Sequence, residues 1–87
     1  MPISSAAEQQ NRLQFVITEI ELGCTFARIA LTTTSRTTRL RNIENARKAY
    51  EGAIHFLHKT SLSEIDREQI TSSLGKLEDV LVRLEHS

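Results

Sequence analysis

An 87-residue chain with 11 Lys and Arg, 11 Asp and Glu, one cysteine and one proline carries no net charge. That length supports one domain, which buries roughly 60–65% of its unfolded surface and has little stability to spare without a partner. The same figures exclude a disulfide framework and a binder held to nucleic acid by bulk charge, and no stretch approaches the ~20 apolar residues of a membrane span.

The opening Met1-Pro2-Ile3-Ser4-Ser5 lacks the basic start and apolar core of a signal peptide. Residues 1–4 are expected to be a disordered lead into a single domain over 5–87. A lone thiol within an apolar helix points to a reducing, cytoplasmic setting, with Cys24 buried in a structural role. With one proline and three isolated glycines, turns and sheets are poorly served and long helices are favoured.

Ser5 and Glu8 have capping-box spacing and open the first predicted helix. Leu13, Ile17, Ile20, Cys24, Ala27 and Leu31 then recur every three or four residues, the spacing of a buried stripe. Thr32-Thr33-Thr34-Ser35 ends it, because hydroxyl and β-branched residues in a row compete with helical hydrogen bonds. The second helix shows a stripe of Ile43, Ala46, Tyr50, Ala53 and Leu57, widened by Leu40 and Ile54, and closes at Lys59-Thr60. Ser61 with Glu64 repeats the capping box. It opens a third helix carrying Ile65, Ile70, Leu74, Leu77, Leu81 and Leu84. The fold expected is all-α, a three-helix antiparallel bundle with helices at about 5–32, 37–58 and 62–85, since short connections make neighbours antiparallel. Gly23, Gly52 and Gly75 each cost about 1 kcal/mol of helix propensity. Small neighbours at the first two, Cys24 and Ala53, suggest close helix approach there.

Leu22-Gly23-x-x-Phe26 and Ala46-x-x-x-Tyr50-x-x-Ala53-Ile54 resemble the two halves of a tetratricopeptide-type helical hairpin. The segment between them is longer than in that repeat, and no second copy follows. One hairpin plus a third helix resembles the layout of microtubule-interacting-and-trafficking domains. The resemblance implies a module that binds peptides or helices and does not catalyse.

The first helix has a second apolar stripe, Phe15, Leu22, Phe26 and Ile29, on nearly the opposite side from the first. One packing face cannot hide both, unless the second and third helices straddle the first widely enough to cover the two stripes within the chain. A contiguous patch of this kind marks an interaction site, and for so small a chain a symmetric homodimer is the commonest way to cover it. These four residues are therefore the candidate dimer or partner interface, with another protein as the alternative occupant.

Charge is unevenly placed. From Arg28 to Lys48 there are six basic residues and one acid, and elsewhere five basic residues and ten acids. Arg36, Arg39, Arg41, Arg47 and Lys48 are the candidate charge-based partner contacts. Their expected counterparts are acids of the same chain or of a second subunit, with Glu64, Asp66, Glu68, Glu19 and Glu21 available. A small nucleic-acid-binding or regulatory protein is the alternative, disfavoured by the zero net charge and the lack of interleaved aromatic residues.

Glu51, His55 and His58 fall at i, i+4 and i+7, but no matching Glu-x-x-His lies on another helix, so no metal site is expected. No phosphate loop, no Ser/His/Asp set and no base for Cys24 is present. The expectation is a non-enzymatic, cofactor-free, self-associating helical module that acts as an adaptor or accessory protein.

Overall fold

The computed structural model describes residues 5–86, with side chains from Gln10 onward. The expected lead over 1–4 and the Ser5–Glu8 capping box lie outside what is described. Three helices follow one another: α1 (Ser5–Thr32), α2 (Arg36–Leu57) and α3 (Glu64–Glu85). They form one up-down-up bundle in which α1 packs against both of the others. The molecule is a slab of 52 × 22 × 15 Å. Its radius of gyration of 14.7 Å exceeds the ~12 Å of a compact chain of this length, so much surface stays close to solvent.

The ends are set by hydroxyl caps. Ser35 Oγ accepts from the Thr38 N–H at 3.2 Å and starts α2. Ser63, not Ser61, starts α3, accepting from the Asp66 N–H at 3.1 Å, with Glu64 and Asp66 favourably placed at the positive end of the helix. Both serines satisfy the simple spacing rule within a residue or two, and only the backbone path selects between them. At the other end of α2, Thr60 is buried and its Oγ1 donates to the Phe56 carbonyl at 2.7 Å.

The α3 stripe is Ile70, Leu74, Leu77, Leu81 and Leu84, all buried. Ile65 is 70% exposed. It stands five residues before Ile70, which swings it off the stripe. In α2 the buried set is Asn42, Ile43, Ala46, Ala49, Ala53 and Leu57, with Tyr50 and Ile54 half-buried. Leu40, expected to widen that stripe, is 55% exposed. Asn42 is satisfied locally, donating through Nδ2 to the Thr38 carbonyl at 2.9 Å.

The larger correction concerns α1. Its buried residues are Val16, Ile20, Gly23, Ala27 and Ala30. Leu13 and Ile17 are half-buried, while Cys24 and Leu31 are exposed. The core face is thus turned by about half a right angle from the stripe of large residues, taking 100° per residue. The cause is the α1–α2 seam, which is built from small residues. A Cβ on Gly23 would meet Ala49 Cβ at 3.5 Å, the Ala46 carbonyl oxygen at 3.6 Å and Leu77 Cδ2 at 2.7 Å. A Cβ there touches α2 at ordinary contact distance and must displace the tip of Leu77, so the bare glycine lets α1 lie against the alanines of α2 with Leu77 filling the space. A Cβ on Gly52 would meet only the Glu19 carboxylate tip, and one on Gly75 meets nothing within 4 Å.

Opposite effects are therefore expected at two glycines. Gly23→Ala gains about 1 kcal/mol of helix propensity. It also crowds Leu77, which is 2% exposed and has little room to turn, at about 1–3 kcal/mol. A net loss of about 1 kcal/mol is expected. Gly75→Ala, in open space, should raise stability by up to about 1 kcal/mol. Urea unfolding of both variants checks this, and equal gains at the two sites would show that the seam has slack.

Candidate interaction surface

α1 is flanked by α2 on one side and α3 on another, and its third side is bare. α2 runs antiparallel along it, level by level. Lys59 lies beside Arg12, whose Nη1 donates to the Lys59 carbonyl at 3.1 Å, and Phe56 stands beside Phe15 with ring centroids 4.4 Å apart. Gly52 faces Glu19, and Ala49 faces Gly23. This leaves Phe15, Leu22 and Ile29 at 44%, 41% and 38% exposed and Phe26 half-buried against the core. The second stripe is thus partly tucked into the α1–α2 groove by Phe15 and Phe26, while Leu22 and Ile29 stand out from it.

The surroundings of that stripe matter as much as its apolar members. Projected at about 100° per residue, the bare side of α1 holds Asn11, Phe15, Thr18, Leu22, Thr25 and Ile29. None is charged. Thr25 is occupied with its own helix, donating to the Glu21 carbonyl at 3.0 Å. Charge begins only at the rims, with Glu21 and Arg28 on the outer edge of α1 and Arg41 and Lys48 on the same side of α2. Sequence reading found the apolar stripe but missed Phe56 and the threonines. Phe56 falls outside the periodic stripe of α2, and the threonines carry no hydrophobic signal.

The five candidate cations do not form one patch. Arg36 and Arg39 border an open cleft of about 470 Å³ where the α1–α2 turn meets the end of α3, beside Leu40 and Leu84. Arg41 and Lys48 lie on the back of α2, with Lys48 Nζ 3.9 Å from Glu44 one turn away. Arg47 points to α3. Its Nε donates to Glu85 Oε2 at 3.1 Å, its Nη2 donates to Oε1, and its guanidinium lies 5.3 Å from the Tyr50 ring centre. The acid that takes Arg47 was not among those expected. Glu64, Asp66 and Glu68 sit at the start of α3, which the antiparallel arrangement places at the opposite end of α2.

The paired hydrogen bonds with Glu85 raise the Arg47 pKa and lower that of the Glu85 carboxyl. Burial, and then the neighbouring Glu78, push the Tyr50 hydroxyl up. Cys24 is exposed at a shallow apolar groove between α1 and α3, beside Leu31, Lys76 and Val80. Among the described residues, no three His, Cys, Asp or Glu side chains converge as a metal site would require. His55 and His58 are exposed, and His55 meets the Phe56 ring edge-on. No helix is long and apolar enough to cross a membrane among the described residues. In comparisons with protein-family models, with curated proteins and with solved structures, the chain matches none.

The Arg47–Glu85 bridge predicts a pH dependence. Its carboxyl has a folded pKa below the ordinary 4.5. The bridge therefore stabilises fully above that value and is lost as pH falls through the lower folded one. Both side chains remain about a third exposed, so screening limits the effect to about 0.5–1 kcal/mol. Glu85→Gln should lower stability by that amount at pH 7. The gap to wild type should close in acid, as read by urea unfolding at several pH values.

Proposed function

We propose that this chain is a non-enzymatic helical interaction module that self-associates through the bare side of α1 and serves as an adaptor or accessory protein. The observation that carries the reading is the uncharged face from Asn11 to Ile29, with Leu22 and Ile29 projecting from it. Neither residue is a member of either core cluster, and each keeps about two fifths of its surface exposed. Only the exposed two fifths of each remains to be covered by a second copy, worth about 0.6–1.2 kcal/mol per side chain, and two-fold symmetry counts each twice. The exposed lone thiol of Cys24 fits a reducing compartment such as the cytoplasm.

The nucleic-acid alternative has less support. Of the five cations, Arg47 is engaged by Glu85, and the other four are divided between the end of the bundle and the back of α2. A duplex or single strand needs its phosphates met along one track.

Light scattering on a sizing column tests the proposal over a concentration range. Wild type should show about twice the monomer mass of 9.9 kDa. Leu22→Glu and Ile29→Glu, at positions outside both core clusters, should stay helical and become monomeric, with association weakened at least ~100-fold. Phe26→Glu should lose both association and stability, because Phe26 also packs on the core. A wild-type monomer at hundreds of micromolar would overturn the proposal.

A further inference from the structure

The charges around the uncharged face fix how a second copy can lie on it, and we propose an antiparallel two-fold pairing of α1 on α1 that sets Glu21 of each copy beside Arg28 of the other. This rests on the self-association proposed above and adds its geometry.

The size of the face comes first. The apolar stripe from Phe15 to Ile29 is about 21 Å long and about one helix diameter, ~10 Å, wide. That is far less than the ~800 Å² per partner of a standard interface. Including the back of α2, the flat side spans roughly 33 Å from Asn11 to Thr33 and about 20 Å across, or roughly 650 Å². A stable dimer therefore has to use the charged back of α2 as well as the stripe, and its charges have to match.

They match in one arrangement. Setting the two-fold axis level with the backbone between Cys24 and Thr25 brings Leu22 of one copy within one residue's rise, about 1.5 Å, of Phe26 of the other. On the outer edge of α1, Glu21 then falls level with Arg28 of the second copy, and Arg28 with its Glu21. The α1–α2 ladder carries the same axis to α2, because Ala49 is level with Gly23 and Gly52 with Glu19. There Lys48 lies within about 3 Å, along the helix axis, of the level of Glu44 in the other copy, and Arg41 within about 3 Å of Glu51. Both edges are palindromic in this sense, with a base at one end and an acid at the other.

The alternatives leave the rims unpaired or put apolar against charged. A parallel two-fold carries the outer edges of the two α1 helices to opposite sides of the contact, so neither Glu21 nor Arg28 meets its counterpart edge and the rims are left unpaired. Placing α1 on the partner's α2 buries Leu22 and Ile29 against Arg41, Asn45 and Lys48. Only the antiparallel α1–α1 arrangement joins the two uncharged faces and pairs both rims.

Sedimentation equilibrium on charge-reversed variants decides the matter. Glu21 and Arg28 are exposed, so Glu21→Arg and Arg28→Glu should fold normally, as circular dichroism will verify. Each alone should weaken the dimer about tenfold, because both symmetry-related pairs become repulsive. Mixing the two variants should restore association as a heterodimer, and the double swap in one chain should return the wild-type affinity within about threefold. A wild-type dimer whose affinity ignores the single reversals, or which the double swap fails to rescue, overturns this geometry while leaving self-association standing. A wild-type monomer overturns both.

Discussion

The bundle depends on the close approach of α1 to α2 at Gly23. A Cβ on that glycine would sit in ordinary contact with Ala46 and Ala49 and would overlap only the tip of Leu77 from α3. One position thus joins all three helices. The contact turns α1 so that Val16, Gly23, Ala27 and Ala30 face inward, and that rotation decides every other surface of the helix. It moves Cys24 and Leu31 out toward the groove beside α3. It draws Phe26 half into the core and brings Phe15 against Phe56, leaving Leu22 and Ile29 outside.

Close packing of small residues also explains how readable each part was. The α3 stripe was legible because leucines at three- and four-residue spacing have only one plausible buried face, and Ile65 erred only because its five-residue offset was overlooked. In α1 the signal misled. Large apolar residues dominate the periodicity, but Gly23 and the two alanines make the contact through their lack of bulk, and hydrophobic periodicity assigns them little weight. Ala49 was missed in α2 for the same reason. The close approach itself was legible at Gly23, where small residues cluster on both helices, and less so at Gly52, which faces only a flexible carboxylate. The candidate face was half legible: its four apolar residues stand out in a list, but its uncharged breadth and its Phe56 support follow from the fold.

Charge plays two separate roles in this small, neutral chain. At the end of the bundle, Arg47 is taken up by Glu85 and by the Tyr50 ring, which secures the last turn of α3 against α2. This pairing is local and modest, because both groups remain near solvent. The antiparallel topology determines it: α3 returns beside α2 and brings its C-terminal acid, not its N-terminal ones, within reach of Arg47. The remaining cations are left at the cleft and on the back of α2. The excess of base in the middle of the sequence therefore does not become a single basic surface.

The bare side of α1 is then the feature that the monomer leaves without a purpose. Of its apolar residues, Phe26 has core contacts and Phe15 a ring partner, so both are accounted for within one chain. Leu22 and Ile29 are not. Both lie outside the core clusters and keep about two fifths of their surface exposed, which leaves an apolar strip on the molecule. Thr25 lies between them, and Thr18 and Asn11 precede them on the same face, at positions where an exposed helix ordinarily carries lysine or glutamate. An uncharged strip between charged rims has the composition of an interface core with its rim, depleted of charge where water is excluded and polar where it is not. In a chain too short to bury much of its own surface, covering that strip with a second copy adds apolar burial that three helices alone do not provide.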